Sequence, residues 1–267
     1  MMVIAGIGLV VTGDMQAKIM FQQQPMKMAS AEALCETTEG AAFSILTVGG
    51  PDAFATDCDG VTHLIEVPYV TSILATNDPN ATLQGVEDLQ AQYKSEFGET
   101  VTDIYGNEVE ADYRPNLFVT YWSFRLMIGL AVFSAILAVW AFWVTRGKGD
   151  QARTTGSKAF KWFAVLAIPM PFLANAAGWV FTEMGRQPWV VHPNPDDPTV
   201  RLMTVQGVSN HEPMVVLVSL IAFTLIYGVL AVIWFELMRK AALKGIPLPR
   251  KREESQELDT PTISFGY

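Results

Sequence analysis

A stripe of polar side chains lies at the end of one of the most apolar segments of the sequence. Its members follow one another at spacings of four, four and three residues: Asn175, Trp179, Glu183 and Arg186. A helix would carry all four on one face. Ionisable groups at the end of an apolar span are costly and usually serve a function. The alternative is a glutamate–arginine pair that reaches the membrane interface beside a tryptophan anchor.

A second place of this kind is Arg125, which lies with Met127 at the start of another apolar segment. The sequence has no glycine loop for phosphates, no nucleophile elbow and no HExxH or CxxC motif. The chemistry of a soluble enzyme is therefore poorly supported, and the candidate residues are those near the membrane.

The composition agrees with a membrane protein. Hydrophobic residues make up 50% of the 267 residues and charged residues only 17%, with a formal net charge of −9. Soluble domains carry about 25% charged residues. A nucleic-acid-binding protein would show a basic patch or stripe, so we expect no nucleic-acid partner.

Three uncharged windows are long enough to cross a bilayer as helices: Leu126 to Thr145, Trp162 to Thr182 and Pro213 to Phe235. Met1 to Gly13 is also uncharged but short, and it lacks the basic start and cleavage site of a signal peptide. Gly185 and Pro188 would end the helix that carries the polar stripe. The sequence therefore predicts an all-α transmembrane bundle of three full spans plus a truncated first span, with a large external loop between the first and the second.

The charges of the connections predict the orientation. The positive-inside rule makes the basic connection 146–161 and the basic tail cytoplasmic. The long loop 14–118, with 17 acidic and 4 basic residues, is then external, as is the shorter loop before the last span. The predicted segments are span 1–13, loop 14–118, span 119–145, loop 146–161, span 162–184, loop 185–212, span 213–238 and tail 239–267.

Within the long loop we expect a helix or a pair of short helices after Pro25, and another helix over GVEDLQAQYKSEFGE. The segment VTHLIEVPYVTSILAT has no clear pattern, and the polar end KREESQELDTPTISFGY is expected to be disordered.

Both cysteines, Cys35 and Cys58, lie in the long loop. An oxidising exterior favours a disulfide between them, which would contribute roughly 3 kcal/mol on the chain-entropy model. Two free thiols are the alternative. A zinc site is disfavoured because His63 is the only other soft ligand in this loop.

Four collinear pieces resemble subunit I of the cytochrome bd-type quinol:oxygen oxidases. AGWVFTEMGRQPW looks like the family's GRQP signature, and GDMQAKIMFQQQPMKMASAEAL looks like the start of its external quinol loop. YWSFRLMIGL and TVQGVS are similar to the helix after that loop and to the stretch before the last helix. The resemblance implies a bacterial cytoplasmic-membrane oxidoreductase that passes electrons from quinol through haems b to dioxygen, as part of the aerobic respiratory chain.

The resemblance also implies roles for single residues. Met127 matches the methionine that ligates the iron of low-spin haem b, and Glu183 matches the catalytic glutamate that serves high-spin haem b. Trp179 matches a tryptophan beside the haems, and Arg125 and Arg186 match arginines near the haem propionates. Without the resemblance, Met127 would be read as a residue that packs a helix interface.

Lys27 and Glu32 match a lysine and a glutamate implicated in quinol binding or oxidation. Five residues apart, they would point about 140° from each other on a straight helix. Joint contact with one quinol therefore needs a break in the helix or a substrate at its edge. The alternative is two solvated charges on an external helix.

The sequence departs from the family in its histidines, because His63, His192 and His211 all fall in loops. In the family, the histidine ligands of both b haems and the glutamate site of haem d lie in the amino-terminal half of the subunit. We expect that the chain begins inside the sixth of nine helices, through a split gene, a frameshift or an assembly gap. Activity would then require that half and subunit II, and the chain alone would be inactive.

Two other functions stay open at this point. One is a non-catalytic membrane protein with an acidic external domain, which the missing histidines favour. The other is an inactive remnant of an oxidase, which the sequence cannot distinguish from a working one.

Overall fold

The computed structural model describes residues 2–49, 58, 60–145, 158–193 and 197–244. The chain divides into two units, Met1–Val208 and Ser209–Tyr267, and the second contains one long helix. Helix is the dominant state in the described ranges. The helices are α1 (Met2–Gln23), α2 (Pro25–Glu32), α3 (Val70–Thr76), α4 (Val86–Phe97), α5 (Leu117–Thr145), α6 (Lys158–Ala167), α7 (Met170–Arg186), α8 (Thr204–Gly207) and α9 (Pro213–Lys244).

Three of these helices, α1, α5 and α9, are long and apolar enough to cross a membrane. The first differs from the prediction, since α1 does not stop at Gly13 but continues to Gln23. Asp14 and Lys18, four residues apart, form an ion pair along this extension. The two charges of this extension therefore satisfy each other, and the helix continues for ten residues past the expected end of the first span.

The predicted single span over 162–184 is two helices. α6 ends at Ala167 and α7 begins at Met170, and their axes are bent by 41° at the break. Pro169 and Pro171 lie at this break. A proline lacks the backbone N–H for the helical hydrogen bond, and its ring clashes with the preceding turn. The other long helices agree with the expected spans but are longer, starting at Leu117 in α5 and ending at Lys244 in α9.

The region between α1 and α5 is not all helical. The expected helices after Pro25 and over GVEDLQAQYKSEFGE are present as α2 and α4. The segment without a clear pattern forms a strand followed by α3. The described residues include four antiparallel two-stranded sheets, three of them here, which the all-α prediction omits. The strands are β1 (Thr38–Glu39), β2 (Phe43–Val48), β3 (Thr62–Val67), β4 (Thr82–Leu83), β5 (Thr100–Thr102), β6 (Glu108–Glu110), β7 (Trp189–Val191) and β8 (Leu202–Met203), paired β1–β4, β2–β3, β5–β6 and β7–β8.

The main hydrophobic core lies around α2, α4 and the first turns of α5. Leu89 and Tyr93 of α4 pack there with Tyr113, and Trp189 stacks on Tyr113 at a ring-centroid distance of 5.3 Å. The most buried part of the first unit is therefore the segment expected to be a loop.

The predicted connection 146–161 and the predicted tail 239–267 are described only in part, since residues 146–157 and 245–267 lie outside the described ranges.

Candidate functional site

Helix α2 lies at the centre of the candidate site. It begins with Pro25, whose fixed φ suits the first helical turn, and ends at a left-handed residue, Ala33. It packs against α1, α4, α5 and α7. The two charged residues on this helix, Lys27 and Glu32, are only 6% and 5% exposed. The interpretation of these residues as solvated charges is therefore wrong.

Glu32 forms a buried ion pair with Arg125 of α5. Arg125 Nη2 donates to Glu32 Oε2 at 2.6 Å, and both side chains are less than a tenth exposed. Arg125 Nε donates to the main-chain oxygen of Ser44 at 2.6 Å, and its guanidinium lies 4.6 Å from the centre of the Tyr121 ring. Burial raises the pKa of Glu32, and the charge of Arg125 opposes that rise. These contacts fix the orientation of the carboxylate.

Lys27 contacts the opposite neighbour, the end of α7. Its Nζ lies 4.8 Å from the centre of the Phe181 ring, and its aliphatic chain lies on Gly185. A Cβ at position 185 would be 3.0 Å from Lys27 Cγ, so the glycine of GRQPW permits the close approach of α2. Burial lowers the pKa of Lys27, as does the charge of Arg186, while Glu183 acts in the other direction.

The two proposed quinol residues therefore face different helices, as their five-residue spacing predicts. Glu32 contacts α5 and Lys27 contacts α7. A ligand that meets both must lie at the edge of α2.

A second part of the site is an apolar cavity of about 780 Å³ between α1, α5 and α7. Met127 lies in its wall, and a Cβ at Gly178 would be only 2.9 Å from Met127 Sδ. Asn175 and Trp179 of the polar stripe line the same cavity. The other lining residues are mostly small: Ala5, Gly6, Leu9, Ala131, Ser134, Ala135, Ala138, Pro171, Ala174, Gly178 and Thr182. The structure thus brings Met127 and Trp179 together.

The rest of the polar stripe lies apart from this cavity. Helix α7 ends at Arg186, as GRQPW predicts, and Arg186 pairs with Glu183 three residues earlier. Both side chains are about half exposed. Arg186 Nε is a buried donor without a hydrogen-bond partner in the part of the chain that the structure describes. It could receive an anionic group, whereas Arg125 directs its donors to Glu32 and Ser44.

Neither His63 nor His192 lines the cavity. His63 hydrogen-bonds Thr47, and burial lowers the pKa of His192, which lies 6.0 Å from Trp189 between ring centres. Within the described ranges no three His, Cys, Asp or Glu side chains come together in a way that could hold a metal ion. Met127 is the ligand that this cavity offers.

Cys35 and Cys58 form a disulfide in the structure, with their Cα atoms 5.7 Å apart. Cys35 lies three residues beyond Glu32, so the bridge ties the chain after α2 to the start of the segment that becomes β3.

Four polar residues beside Arg125 escaped the sequence analysis as parts of the site: Ser44, Thr47, His63 and Tyr121. Nothing in their local pattern marks them, since serine, threonine and tyrosine are common in any loop. The pairing of β2 with β3 brings Ser44, Thr47 and His63 together, and a contact of this hairpin with α5 adds Tyr121.

Comparisons with known proteins show the family of the chain. Residues 1–246 match the family model described as cytochrome bd terminal oxidase subunit I. The chain is 36% identical over 247 residues to the cytochrome bd ubiquinol oxidase subunit 1 of Bacillus subtilis (strain 168), covering 90% of this chain and 46% of that relative. It is 25% identical over 234 residues to the cytochrome bd-II ubiquinol oxidase subunit 1 of Escherichia coli (strain K12), covering 70% of this chain and 44% of that relative.

Among solved structures, the bd oxidase from Geobacillus thermodenitrificans has a similar fold, with a TM-score of 0.64 and 24% sequence identity. The match covers 91% of this chain and 48% of that one. The chain therefore spans about half the length of the proteins that it matches.

Proposed function

The chain belongs to the cytochrome bd terminal oxidase subunit I family, and from this premise we propose that it supplies the quinol-oxidising helix and one haem-binding wall of a membrane quinol:oxygen oxidoreductase. The remaining parts of the enzyme would come from the amino-terminal half of subunit I and from subunit II. Quinol and lipid would be its other partners.

One observation carries this proposal: helix α2 is buried between the two helices that bear the haem-related residues. Glu32 pairs with Arg125, two residues before Met127, and Lys27 lies on Gly185 beside Arg186. A quinol at the edge of α2 would thus lie near both the methionine and the glutamate of the GRQP segment. Burying charged residues is costly even when they are paired, and such residues concentrate at functional sites.

Lys27 and Glu32 are suited to exchange protons with a quinol. Quinol gives up two protons as well as two electrons when it becomes a quinone. The raised pKa of Glu32 makes its carboxylate a better proton acceptor, and the lowered pKa of Lys27 makes its amine easier to deprotonate. Both groups therefore move toward the neutral pH range, where proton transfer is most efficient.

The cavity beside Met127 could form one wall of a haem pocket. Its volume of about 780 Å³ falls in the range of ligand and cofactor pockets, and its walls are apolar with small residues that leave room for a flat ring. Met127 would hold the haem iron, and Trp179 would pack beside the haem. The second ligand of the low-spin haem b would come from the amino-terminal half of the subunit. When bound, the haems b and haem d would carry electrons from quinol to dioxygen.

We assign Glu183 to the side of the high-spin haem b and dioxygen. Its carboxylate is half exposed and can hold or pass a proton, and Arg186 holds it in place. The unpaired Nε of Arg186 would suit a haem propionate. The donors of Arg125 lie on Glu32 and Ser44, so we propose for Arg125 a quinol-site role in addition to the propionate role implied by the resemblance.

The test is the reduced-minus-oxidised spectrum and the quinol oxidase activity of membranes in which the chain is co-expressed with the missing half and subunit II. Met127→Leu should abolish the low-spin haem b signal. Lys27→Ala and Glu32→Ala should impair quinol oxidation while the haem spectrum stays intact. An unchanged spectrum in Met127→Leu would refute the ligand, and full activity in both loop variants would refute the quinol site.

A matched pair of glycine variants tests the position of Met127 at the cavity while the methionine itself is kept. Gly178→Ala would place a methyl group 2.9 Å from the Met127 sulfur, so the low-spin signal should shift or weaken. Gly129→Ala, on the same helix as Met127, meets no atom within 4 Å among the described residues and should leave the spectrum unchanged. Complexes with normal haems but no quinol oxidation in the unsubstituted chain would favour an inactive remnant.

A further inference from the structure

A set of four polar side chains is linked by hydrogen bonds and contacts Arg125 through Ser44 and Tyr121, and the proposed quinol chemistry does not use it. Ser44 and Thr47 come from β2, His63 from β3 and Tyr121 from α5. The side chains of Ser44, Thr47 and Tyr121 are almost completely closed to solvent, whereas His63 keeps 27% of its side chain exposed. We call this set the hydroxyl–histidine chain.

Its members form consecutive hydrogen bonds. The Tyr121 hydroxyl donates to the Ser44 main-chain oxygen, which also accepts a hydrogen bond from Arg125 Nε. The same hydroxyl lies 3.2 Å from Ser44 Oγ. Ser44 Oγ bonds Thr47 Oγ1, which lies 2.7 Å from His63 Nδ1. Ser44 Oγ is itself 3.2 Å from His63 Nδ1. The hydroxyl–histidine chain thus runs from Arg125 to His63, which is partly exposed.

An irregularity in the hairpin makes this arrangement possible. In a regular strand, residues three apart point to opposite faces, which would separate Ser44 from Thr47. Here Ile45 of β2 and Leu64 of β3 have no partner in the strand register. The extra residue on each strand brings Ser44 and Thr47 to the same buried side, opposite Glu66 and His63. Such bulges commonly re-aim side chains next to active sites.

We propose that the hydroxyl–histidine chain carries protons away from the Glu32 side of the quinol site, with His63 as the relay that delivers them to solvent. This inference rests on the proposed quinol site. Hydroxyls and imidazole both donate and accept hydrogen bonds, so each can take one proton while it gives up another. His63 Nδ1 would accept a proton as Nε2 releases one, and the net charge of the chain would not change.

The charges around the chain fit this role. The titratable and charged groups near it are Glu32 on α2, Tyr121 and Arg125 on α5, and Glu66 on β3, whose carboxylate lies 3.8 Å from His63 Nδ1. Arg125 does not release its proton, so it cannot pass protons along the relay. The proposed relay therefore needs one water molecule that bridges Glu32 to Ser44 and Tyr121 around the guanidinium. Glu66, 41% exposed, lies where the protons would leave.

Two variants of His63 separate a proton relay from a structural contact. In the co-expressed complete complex, His63→Ala should lower quinol oxidation by about tenfold or more with an unchanged haem spectrum. Added imidazole should restore the rate, whereas pyrazole, of similar size but a much weaker base, should not. His63→Gln keeps a hydrogen-bond partner for Thr47, so a relay predicts a low rate and a structural role predicts a normal one.

Thr47→Val removes the hydroxyl next to His63 but keeps the shape of the side chain, and it should lower the rate in the same way. His211→Gln, which replaces an exposed histidine, is the control and should leave the rate unchanged. Normal turnover in His63→Gln, or equal rescue by imidazole and pyrazole, would overturn the relay. If Lys27→Ala and Glu32→Ala keep full activity, the quinol site itself fails, and this outcome is distinguishable because it does not involve His63.

Discussion

Two glutamate–arginine pairs in this chain differ in almost every respect except their chemistry. Glu32 and Arg125 come from two helices, 93 residues apart in the sequence, and their side chains are 5% and 8% exposed. Glu183 and Arg186 belong to one helix turn and are about half exposed. The first pair joins α2 to α5, and the second pair leaves one arginine donor unused in the described structure.

This difference in burial determines how much each pair contributes to stability. Breaking a buried ion pair leaves a charge without a partner in a poorly solvated place, which costs about 3–5 kcal/mol. An exposed pair within one helix turn contributes roughly 0–1 kcal/mol. The α2 pair therefore fixes the packing of α2 on α5 at the proposed quinol site. The α7 pair contributes little to stability, so Arg186 could bind a ligand at low cost.

The largest expected difference in stability between the two pairs follows from removing the arginine of each. Arg125→Leu should destabilise the assembled complex by about 3–5 kcal/mol, because Glu32 stays buried without its counter-charge. Arg186→Leu, the comparison variant, should lose less than about 1 kcal/mol through its ion pair with Glu183, in addition to what the proposed contact with a haem propionate contributes. Thermal unfolding of the purified complex, followed by circular dichroism, measures both.

A double variant sharpens the result. Glu32→Leu with Arg125→Leu removes both charges, so it should recover much of the stability lost in Arg125→Leu. Equal losses in the Arg125 and Arg186 single variants would mean that the α2 pair is not buried in the complex.

The disulfide offers the next largest effect. Cys35→Ser should cost roughly 3 kcal/mol on the chain-entropy model, since the bridge closes a loop with a sequence separation of 23 residues. Because Cys35 follows α2, protease cleavage should increase around α2 and not at the end of α7. Limited proteolysis with mass spectrometry locates the new cuts. Two free thiols in the unsubstituted chain under non-reducing conditions would contradict the bridge.

The smallest expected effect is a pH dependence of stability that comes from Glu32 of the buried pair. Because burial raises the pKa of Glu32, the folded protein binds this proton more readily than the unfolded chain does. Its contribution to stability is therefore present at acid pH and is lost as pH rises from about 4.3 through the folded-state pKa. Glu32→Gln should lack this slope in thermal midpoints measured across that range. Identical slopes in both proteins would show that Glu32 titrates normally.

Much of the helical fold could be predicted from sequence. Windows of uncharged residues indicated α5, the α6–α7 segment and α9, and Pro25 and the GRQPW motif indicated where α2 starts and where α7 ends. Two boundaries could not be predicted this way. The charges of Asp14 and Lys18 suggested a loop, but they satisfy each other along α1, and Pro169 divides a segment whose hydropathy alone looks continuous.

The sequence proposed the candidate site as a set of residues but not as a set of contacts. Lys27, Glu32 and Arg125 were identified through the family resemblance, whereas the ion pair between Glu32 and Arg125 depends on tertiary packing. The hairpin was missed for a physical reason. The unpaired Ile45 and Leu64 break the alternation of apolar and polar residues by which a strand is recognised.

The close contact between Gly185 and Lys27 has a consequence for how this protein can change. A side chain at position 185 would be tight on two sides, because its Cβ would lie 3.0 Å from Lys27 Cγ and 3.2 Å from Thr120 Cγ2, and one of these neighbours would have to shift by a few tenths of an ångström. The glycine on α7 and the lysine on α2 are therefore sterically coupled. A larger residue at 185 would be accommodated most easily together with a smaller one at 27, so we expect the two positions to vary jointly.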